Sequence, residues 1–400
     1  MSTLKVDAIR HNSATSDAIT MASDGTCTAK ITGMTGGGGL SNRNIIVNGD
    51  MRVAQRSVGP IAVSDNNNEG YQTIDRMRFG FGNSAAGACN ISQSTDAPTT
   101  LGFTKSHKTD VTTVNTTASG QQVIQMFYRI EGQDIRNSGW NHLSSSSFLT
   151  LSFYFKTTKT GTSKLPIMFR TRHGTNYYYV KNVTVTDPTN WNRYTVTIPG
   201  NSNIQIDDAN TVGMDINFTY YSGPDKDTSS EGSWGSTNAY STSDSTNYFD
   251  STSNDMFITG IQLESGDTAT SFEHRSYGDE LQRCQRYCYA AVADGSIDNY
   301  APLANGRFYN ASDAQFNIFF PVTMRYPPTL DSATTAAGTF FYNTNGGFGG
   351  VEATNIGLNE RAYNSATVYT QGASGQTAGN GTTLYCHDSE VAKLIFTAEL

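Results

Sequence analysis

The sequence predicts a mainly β protein with an N-terminal β arm, a jelly-roll β-sandwich, a short connecting helix and a smaller C-terminal β-sandwich domain. Three observations carry that expectation. Segments with apolar residues at every second position recur along the chain, separated by turns rich in Gly, Asn, Asp and Pro. Only one stretch, near residue 280, has the helical period and a cap to open it. Charged residues make up 16% of the chain, well below the roughly 25% of an average globular protein, while aromatics reach 11% and glycines number 38. Such a composition builds aromatic cores under a neutral, polar surface. The expected divisions are an attachment arm and glycine linker at 1–40, the jelly roll at 41–275, the helix at 276–290 and a β tip domain at 291–400.

Within the arm, Thr3 to Ile9 alternates with period two, and Ile19-Thr20-Met21 leads through the turn Ser23-Asp24-Gly25 into a second short strand. A segment this short buries no core alone, and Gly36 to Gly39 join it to the rest as a swivel. From Asn44 the jelly roll begins, with a strand expected at Ile45 to Asp50, ending in a turn, and another carried by Tyr71 to Phe81. The alternation predicts strands near 122–130, 148–156, 164–172, 177–185, 191–198, 212–221 and 256–263, with Gly260 breaking the pattern of the last. Residues 222–254 form a Ser/Thr/Asp/Asn insertion between two strands. Its Trp234, Tyr240, Tyr248 and Phe249 are out of place in a mere spacer, so an ordered contact surface and a loose excursion both stay open. Ser276 with Asp279 three residues on reads as a capping box and predicts a helix running to about Tyr289. In the last region, Ala314–Phe319, Thr339–Tyr342, Ala366–Tyr369 and Leu394–Thr397 read as strands.

Several function classes fall away. A net charge of −8 without a basic block predicts no nucleic-acid partner. No run of roughly 18 apolar residues is present, so membrane insertion is not expected, and MSTLKVDAIR has no apolar stretch of the kind a secretory signal needs. The five cysteines are scattered and form no disulfide framework, which points to assembly in a reducing cytoplasm. There is no phosphate-binding glycine loop followed by Lys, no G-x-S-x-G elbow and no H-E-x-x-H pair. A glycan-degrading enzyme needs two positioned carboxylates, and Asp207-Asp208 and Asp225 with Asp227 sit in polar loops with nothing to pair them. No enzyme activity and no cofactor are expected.

Five stretches carry a family resemblance: STLKVDAI at 2–9 with AITMASDGT at 18–26, NIIVNGDMRVAQR at 44–56, YQTIDRMRF at 71–79, ITGIQLESGDTATSFEHRSYGDELQRCQRYC at 258–288 and FPVTMRYPPT at 320–329. They resemble segments of bacteriophage tail-fibre and other receptor-binding virion proteins that carry a carbohydrate-binding-module-like jelly roll. Met51 and Met77 stand where those modules commonly have aromatics, and the 222–254 insertion has no counterpart in them. The resemblance implies a homotrimeric tail fibre on the virion surface, assembled in the host cytoplasm. It would dock to other virion proteins through residues 1–40 and bind a host-surface receptor, a glycan or a protein, through its distal domains. A capsid fibre or decoration protein is the alternative, and a host-polysaccharide depolymerase a more distant one. On that reading Trp234, Tyr240, Tyr248, Phe348, Tyr363 and Tyr369 are the candidate sugar-contacting aromatics. Leu281, Cys284 and Cys288, on one face of the expected helix, are the candidate threefold contact. Asp50 and Asp255 stand roughly where related jelly rolls hold a structural Ca²⁺. That ion takes about six to eight oxygen ligands, so a turn cap at Asp50 and a strand start at Asp255 are the preferred readings.

Overall fold

The computed structural model describes residues 6–10, 19–21, 23, 27–29, 42–115, 120–294, 300–331, 340–344, 347–386 and 391–400, with the backbone alone at 27–29, 347–349 and 391. In the arm, β1 (Ala8–Ile9), β2 (Ile19–Met21) and β3 (Cys27–Ala29) form an antiparallel sheet in that order, and Asp24 and Gly25 of the expected turn lie outside the described residues. The four-glycine joint lies outside the described residues.

The sandwich strands in chain order are β4 (Ile61–Ser64), β5 (Arg78–Gly82), β6 (Ala88–Ser94), β7 (Ser106–Thr113), β8 (Val123–Glu131) and β9 (Phe148–Thr157). They continue as β10 (Ser163–Thr171), β11 (Tyr178–Val185), β12 (Asn192–Pro199), β13 (Val212–Ser222), β14 (Trp234–Gly235) and β15 (Asp255–Ser265). One six-stranded sheet runs β14-β11-β10-β13-β8-β5 and faces a second, β12-β9-β15-β7-β6-β4. Period-two alternation turns Met214, Ile216, Phe218 and Tyr220 of β13 and Leu149, Leu151, Phe153 and Phe155 of β9 into one core, all without exposed surface. Phe153 meets Phe218 edge-on across the sheets at 5.1 Å between ring centroids. Each of these side chains contributes about 1.5–3 kcal/mol by leaving water.

Gly260 occupies the register shift of β15 between Thr259 and Gln262, at φ 62°. A Cβ there would stand 2.7 Å from the Phe103 ring, so both backbone sign and space require glycine. Asn44 clasps this bulge, donating from Nδ2 to the Ile261 carbonyl at 3.1 Å and accepting from the Leu263 amide at 3.0 Å. Gln262 and Glu264 in turn hold the following loop: Gln262 accepts from the Glu273 amide at 2.8 Å and Glu264 from the Thr270 amide at 2.9 Å. Residues 45–50 are thus not the strand their sequence predicts but part of a segment, ahead of the first strand of the sandwich, that is tied through Asn44 to its last strand.

Helix α1 (Gly132–Arg136) is a single turn after β8, and α2 (Tyr277–Gln285) is the connecting helix. Ser276 caps α2 by accepting from the Asp279 amide at 3.1 Å, as its sequence position predicts. The helix ends four residues sooner than expected. Cys288–Asp294 forms β16 instead, because it pairs along its length with β25 (Val391–Thr397) about a hundred residues away. Neither helix is long and apolar enough to cross a membrane, among the described residues.

The C-terminal domain is a second sandwich. Its strands are β16, β17 (Ala301–Phe308), β18 (Ala314–Phe319), β19 (Thr329–Leu330), β20 (Phe340–Thr344), β21 (Gly347–Glu352), β22 (Asn355–Arg361), β23 (Ser365–Gln371), β24 (Gly381–Cys386) and β25. A three-stranded sheet, β16-β25-β19, packs on a seven-stranded one, β21-β20-β24-β17-β18-β23-β22. Ala291, Leu394 and Phe396 from the smaller sheet meet Phe308, Phe316, Tyr342, Val368 and Leu384 from the larger.

The two sandwiches are locked together by buried charge. Glu399 accepts from Arg76 and from Arg56, the latter at 3.3 Å, and all three side chains are nearly sealed from solvent. Arg76 lies against the rings of Tyr128 and Tyr287, at 5.0 Å and 3.6 Å from their centroids. Glu131, fully buried, accepts from Arg286 at 2.9 Å and 3.0 Å and from the Tyr287 hydroxyl at 2.5 Å. Arg325 bridges the carbonyls of Asn210, Ala398 and Glu399 at 2.7–2.8 Å.

Candidate functional site

The seven-stranded sheet has one face on the core and one turned outward, and the outward face is lined with hydrogen-bonding groups. In β18, Ala314, Phe316 and Ile318 point inward and leave Gln315 and Asn317 outside; in β23, Ala366 and Val368 point inward and leave Thr367, Tyr369 and Gln371 outside. Strand pairing aligns Arg307 with Gln315, Gln315 with Tyr369 and Tyr369 with Gly357, a row that crosses four strands. These residues line a groove of about 1150 Å³ that also takes in Asn305, Tyr309, Asp313 and Glu360.

Glycine shapes one side of the groove. A Cβ on Gly357 would stand 2.5 Å from the Tyr369 ring, so the ring rests on bare backbone. Polar side chains are held by their neighbours: Thr367 Oγ1 bonds Asn317 Oδ1 at 3.1 Å, Thr383 Oγ1 bonds Asn305 Oδ1 at 3.1 Å and Asn355 Nδ2 donates to Gln371 Oε1 at 3.0 Å. Amides supply donors and acceptors together, Arg307 supplies donors only, Glu360 and Asp313 accept, and Tyr369 presents a flat apolar ring with a polar tip. The arrangement suits a neutral, hydroxyl-rich ligand lying across the strands. Among the described residues no group of three or more His, Cys, Asp or Glu is placed to hold a metal.

The sequence-predicted residues fare unevenly. Tyr369 lies in the groove. Tyr363 is exposed at the β22–β23 turn, its ring 6.5 Å from Tyr326 and outside the groove. The side chain of Phe348 lies outside the described residues. Two aromatics of the insertion, Tyr248 and Tyr240, are corrected, while Trp234 is half-buried. Tyr248 is fully buried, its hydroxyl 2.9 Å from Ser163 and its ring edge-on to Phe155, so it belongs to the sandwich core. Tyr240 is buried against Met168, Tyr178 and Val180 on the sheet's outer side. Trp234 extends that sheet beside Tyr179 and donates from its indole to the Pro199 carbonyl at 2.7 Å. The insertion is an ordered cover, and Tyr240, Tyr248 and Phe249 are spent on packing.

The candidate threefold contact is corrected in part. Cys284 is buried on the inner face of α2, and Cys288 is a buried β16 residue rather than a helical one, so the two do not share an outward helix face. Burial raises both thiol pKa values far above their ordinary range, and both pack within one chain. Leu281 is half-buried and stays available. Asp50 and Asp255 are not brought together either. Gly49, beside Asp50, packs on Ile261, which is six strand residues from Asp255, a distance of roughly 20 Å. Asp255 instead pairs with Lys108 at 3.0 Å, while burial and then repulsion from Glu280 push the Asp50 carboxyl up to about 6. Sequence reading missed Asn305, Arg307, Gln315 and Asn317. The usable signal was the polar half of the alternation in 314–319, whose apolar half marked the strand.

No family model matches the chain, and no curated protein matches it. Similar solved structures include the family 11 carbohydrate-binding module from Clostridium thermocellum, with 12% identity, a TM-score of 0.27 and coverage of 53% of this chain and 96% of the module. The CBM22-1 xylan-binding domain from Paenibacillus barcinonensis Xyn10C has 9% identity and a TM-score of 0.25, covering 54% of this chain and all of that domain. The enzymatically active domain of bacteriophage CBA120 tailspike protein 4 has 11% identity and a TM-score of 0.29, covering 56% of this chain and 22% of that one.

Proposed function

We propose that this chain is a phage virion fibre protein that binds host-surface glycan through the groove on its C-terminal sheet. The observation that carries the proposal is the row Arg307–Gln315–Tyr369 over Gly357, a ring on bare backbone flanked by amides and carboxylates, which matches the alternating C–H and hydroxyl surface of a saccharide. The rigid two-sandwich body would hold that groove distal to the arm, with residues 1–40 docking to other virion proteins. The reading is non-enzymatic: the groove binds and releases glycan intact. Tyr369→Ala is expected to weaken adsorption of the purified protein to host cells at least tenfold while leaving its melting temperature nearly unchanged. Adsorption at the wild-type level would refute the assignment of the groove, and release of reducing ends from host polysaccharide would refute the non-enzymatic reading.

The same proposal includes a homotrimer. Tyr277 and Leu281 lie one helical turn apart on α2, the first exposed and the second half-buried, and symmetric copies of the helix would cover them. Leu281→Asp is expected to lower the mass measured by light scattering from three chains to one. An unchanged mass would rule this helix out as the contact.

A further inference from the structure

The groove on the C-terminal sheet does not end at Tyr369. Asn317, Glu360 and Thr367, which line it, also line a neighbouring hollow of about 240 Å³ whose other walls include Phe319, Ala362 and Ser365. The two form one continuous outward surface. Phe319 is the last residue of β18 and follows Gln315 and Asn317 on the outward side of that strand. Gln315 and Asn317 keep the polar half of the alternation, and Phe319 breaks it. Its side chain is 75% exposed, the most exposed large apolar side chain among the described residues, while its chain neighbours Ile318 and Phe320 are buried. A ring left in water forgoes the stabilisation that burial brings, and one set in the wall of a binding surface marks a seat for an occupant.

Register fixes the spacing of this seat from the first. Gln315 pairs with Tyr369, Asn317 with Thr367 and Phe319 with Ser365, so Phe319 lies four residues along and one strand across from Tyr369. The Cα atoms of the two aromatic residues therefore stand roughly 14 Å apart on one face of adjacent strands. A polar row separates them: Asn317 pairs with Thr367 and Thr367 with Glu360, and Thr367 Oγ1 bonds Asn317 Oδ1 at 3.1 Å. Aromatic rings hold the C–H faces of sugars, while amides and carboxylates meet their hydroxyls. The row Arg307–Gln315–Tyr369 offers that combination across the strands, and the path from Tyr369 to Phe319 repeats it along them. A disaccharide on Tyr369 leaves Phe319 bare. A tetrasaccharide is long enough to cover both rings.

We propose, resting on the glycan reading of the groove, that the ligand is a linear polysaccharide bound over a tetrasaccharide or longer stretch. One of its units sits on the Tyr369 ring and another, further along the chain, on the Phe319 ring. Each seat raises the effective concentration of sugar at the other, so affinity climbs once a fragment is long enough to touch both. Calorimetry with the full chain tests this, using size-fractionated fragments, disaccharide to hexasaccharide, of the surface polysaccharide that the wild-type chain retains on an array. The tetrasaccharide is expected to bind wild type about tenfold more tightly than the disaccharide. In Phe319→Ala that gain should fall below about twofold while disaccharide affinity and melting temperature hold. In Tyr369→Ala both fragments should weaken. A tetrasaccharide no tighter than the disaccharide, or an undiminished gain in Phe319→Ala, would overturn the extension and leave the groove assignment standing. Loss of the gain together with a lower mass by light scattering would make Phe319 a contact between copies of the chain, and would overturn it too. No binding of any fragment or of its parent polysaccharide by wild type would overturn the groove reading itself, and the extension with it.

Discussion

Glu399→Ala is expected to destabilise the protein by about 3–5 kcal/mol, the usual consequence of removing one partner from a buried ion pair. The side chains of Arg56 and Arg76 are 6% and 1% exposed, and both direct a guanidinium at this carboxylate. Without it, Arg76 keeps its contacts with Tyr128, Tyr287 and the Arg129 carbonyl, at 2.6 Å, but loses the anion it was buried with. The damage should concentrate at the junction. Thermal unfolding should separate into two transitions as the C-terminal sandwich uncouples, and limited proteolysis should open the 266–290 segment. A single transition within about 1 kcal/mol of wild type would mean that the sandwiches are held by their apolar contacts alone.

The second large effect is electrostatic and belongs to the first sandwich. His107 is almost fully buried, its ring stacked on Phe79 at 6.3 Å, and burial depresses its pKa from 6.5 to about 4. The unfolded chain takes up this proton near pH 6.5 and the folded chain only near pH 4, so acidification across that window favours unfolding. The contribution of His107 is whole above pH 6.5 and falls by about 3 kcal/mol as pH drops to 4. Asp50, Asp75 and Asp134 act in the opposite sense. Burial raises each to about 6, so each adds stability as pH falls from 6 toward 3.8. The raw stability of the protein therefore mixes both signs, and His107→Phe isolates one. Phenylalanine keeps the stack and has nothing to protonate. The stability of His107→Phe relative to wild type is expected to rise by about 3 kcal/mol between pH 7 and pH 4 in urea titrations. A difference independent of pH would show that His107 titrates normally in the folded chain.

Much of the fold is legible in the sequence because its determinants are local. The alternation of Leu149, Leu151, Phe153 and Phe155 defines a strand and its buried face together. Gly260 is readable as a break, and Ser276 as a cap, since each acts within a few residues of itself. The helix end is not readable, because Cys288–Asp294 becomes a strand only through pairing with Val391–Thr397. The same reason hides the fate of the aromatics. Tyr248 and Tyr369 each stand beside one apolar residue in an otherwise polar stretch, yet one is sealed beside Ser163 and the other opens onto a groove. The order of strands in space decides between them. The groove itself depends on β24, β17, β18, β23 and β22 lying side by side, an order that chain sequence does not follow. Arg307 and Gln315 are anonymous polar residues until that pairing puts them in line with Tyr369.

Binding of the full chain to an array of bacterial surface polysaccharides, run beside the Gly357→Val variant, tests the central claim most directly. Valine at 357 would displace the Tyr369 ring from its backbone seat on an outer strand and leave the core packing of the sheet in place. Specific glycan binding by the wild-type chain, lost in Gly357→Val at an unchanged melting temperature, is the predicted result. Equal glycan binding by the two proteins, or no binding of any polysaccharide by the wild-type chain, would contradict the account.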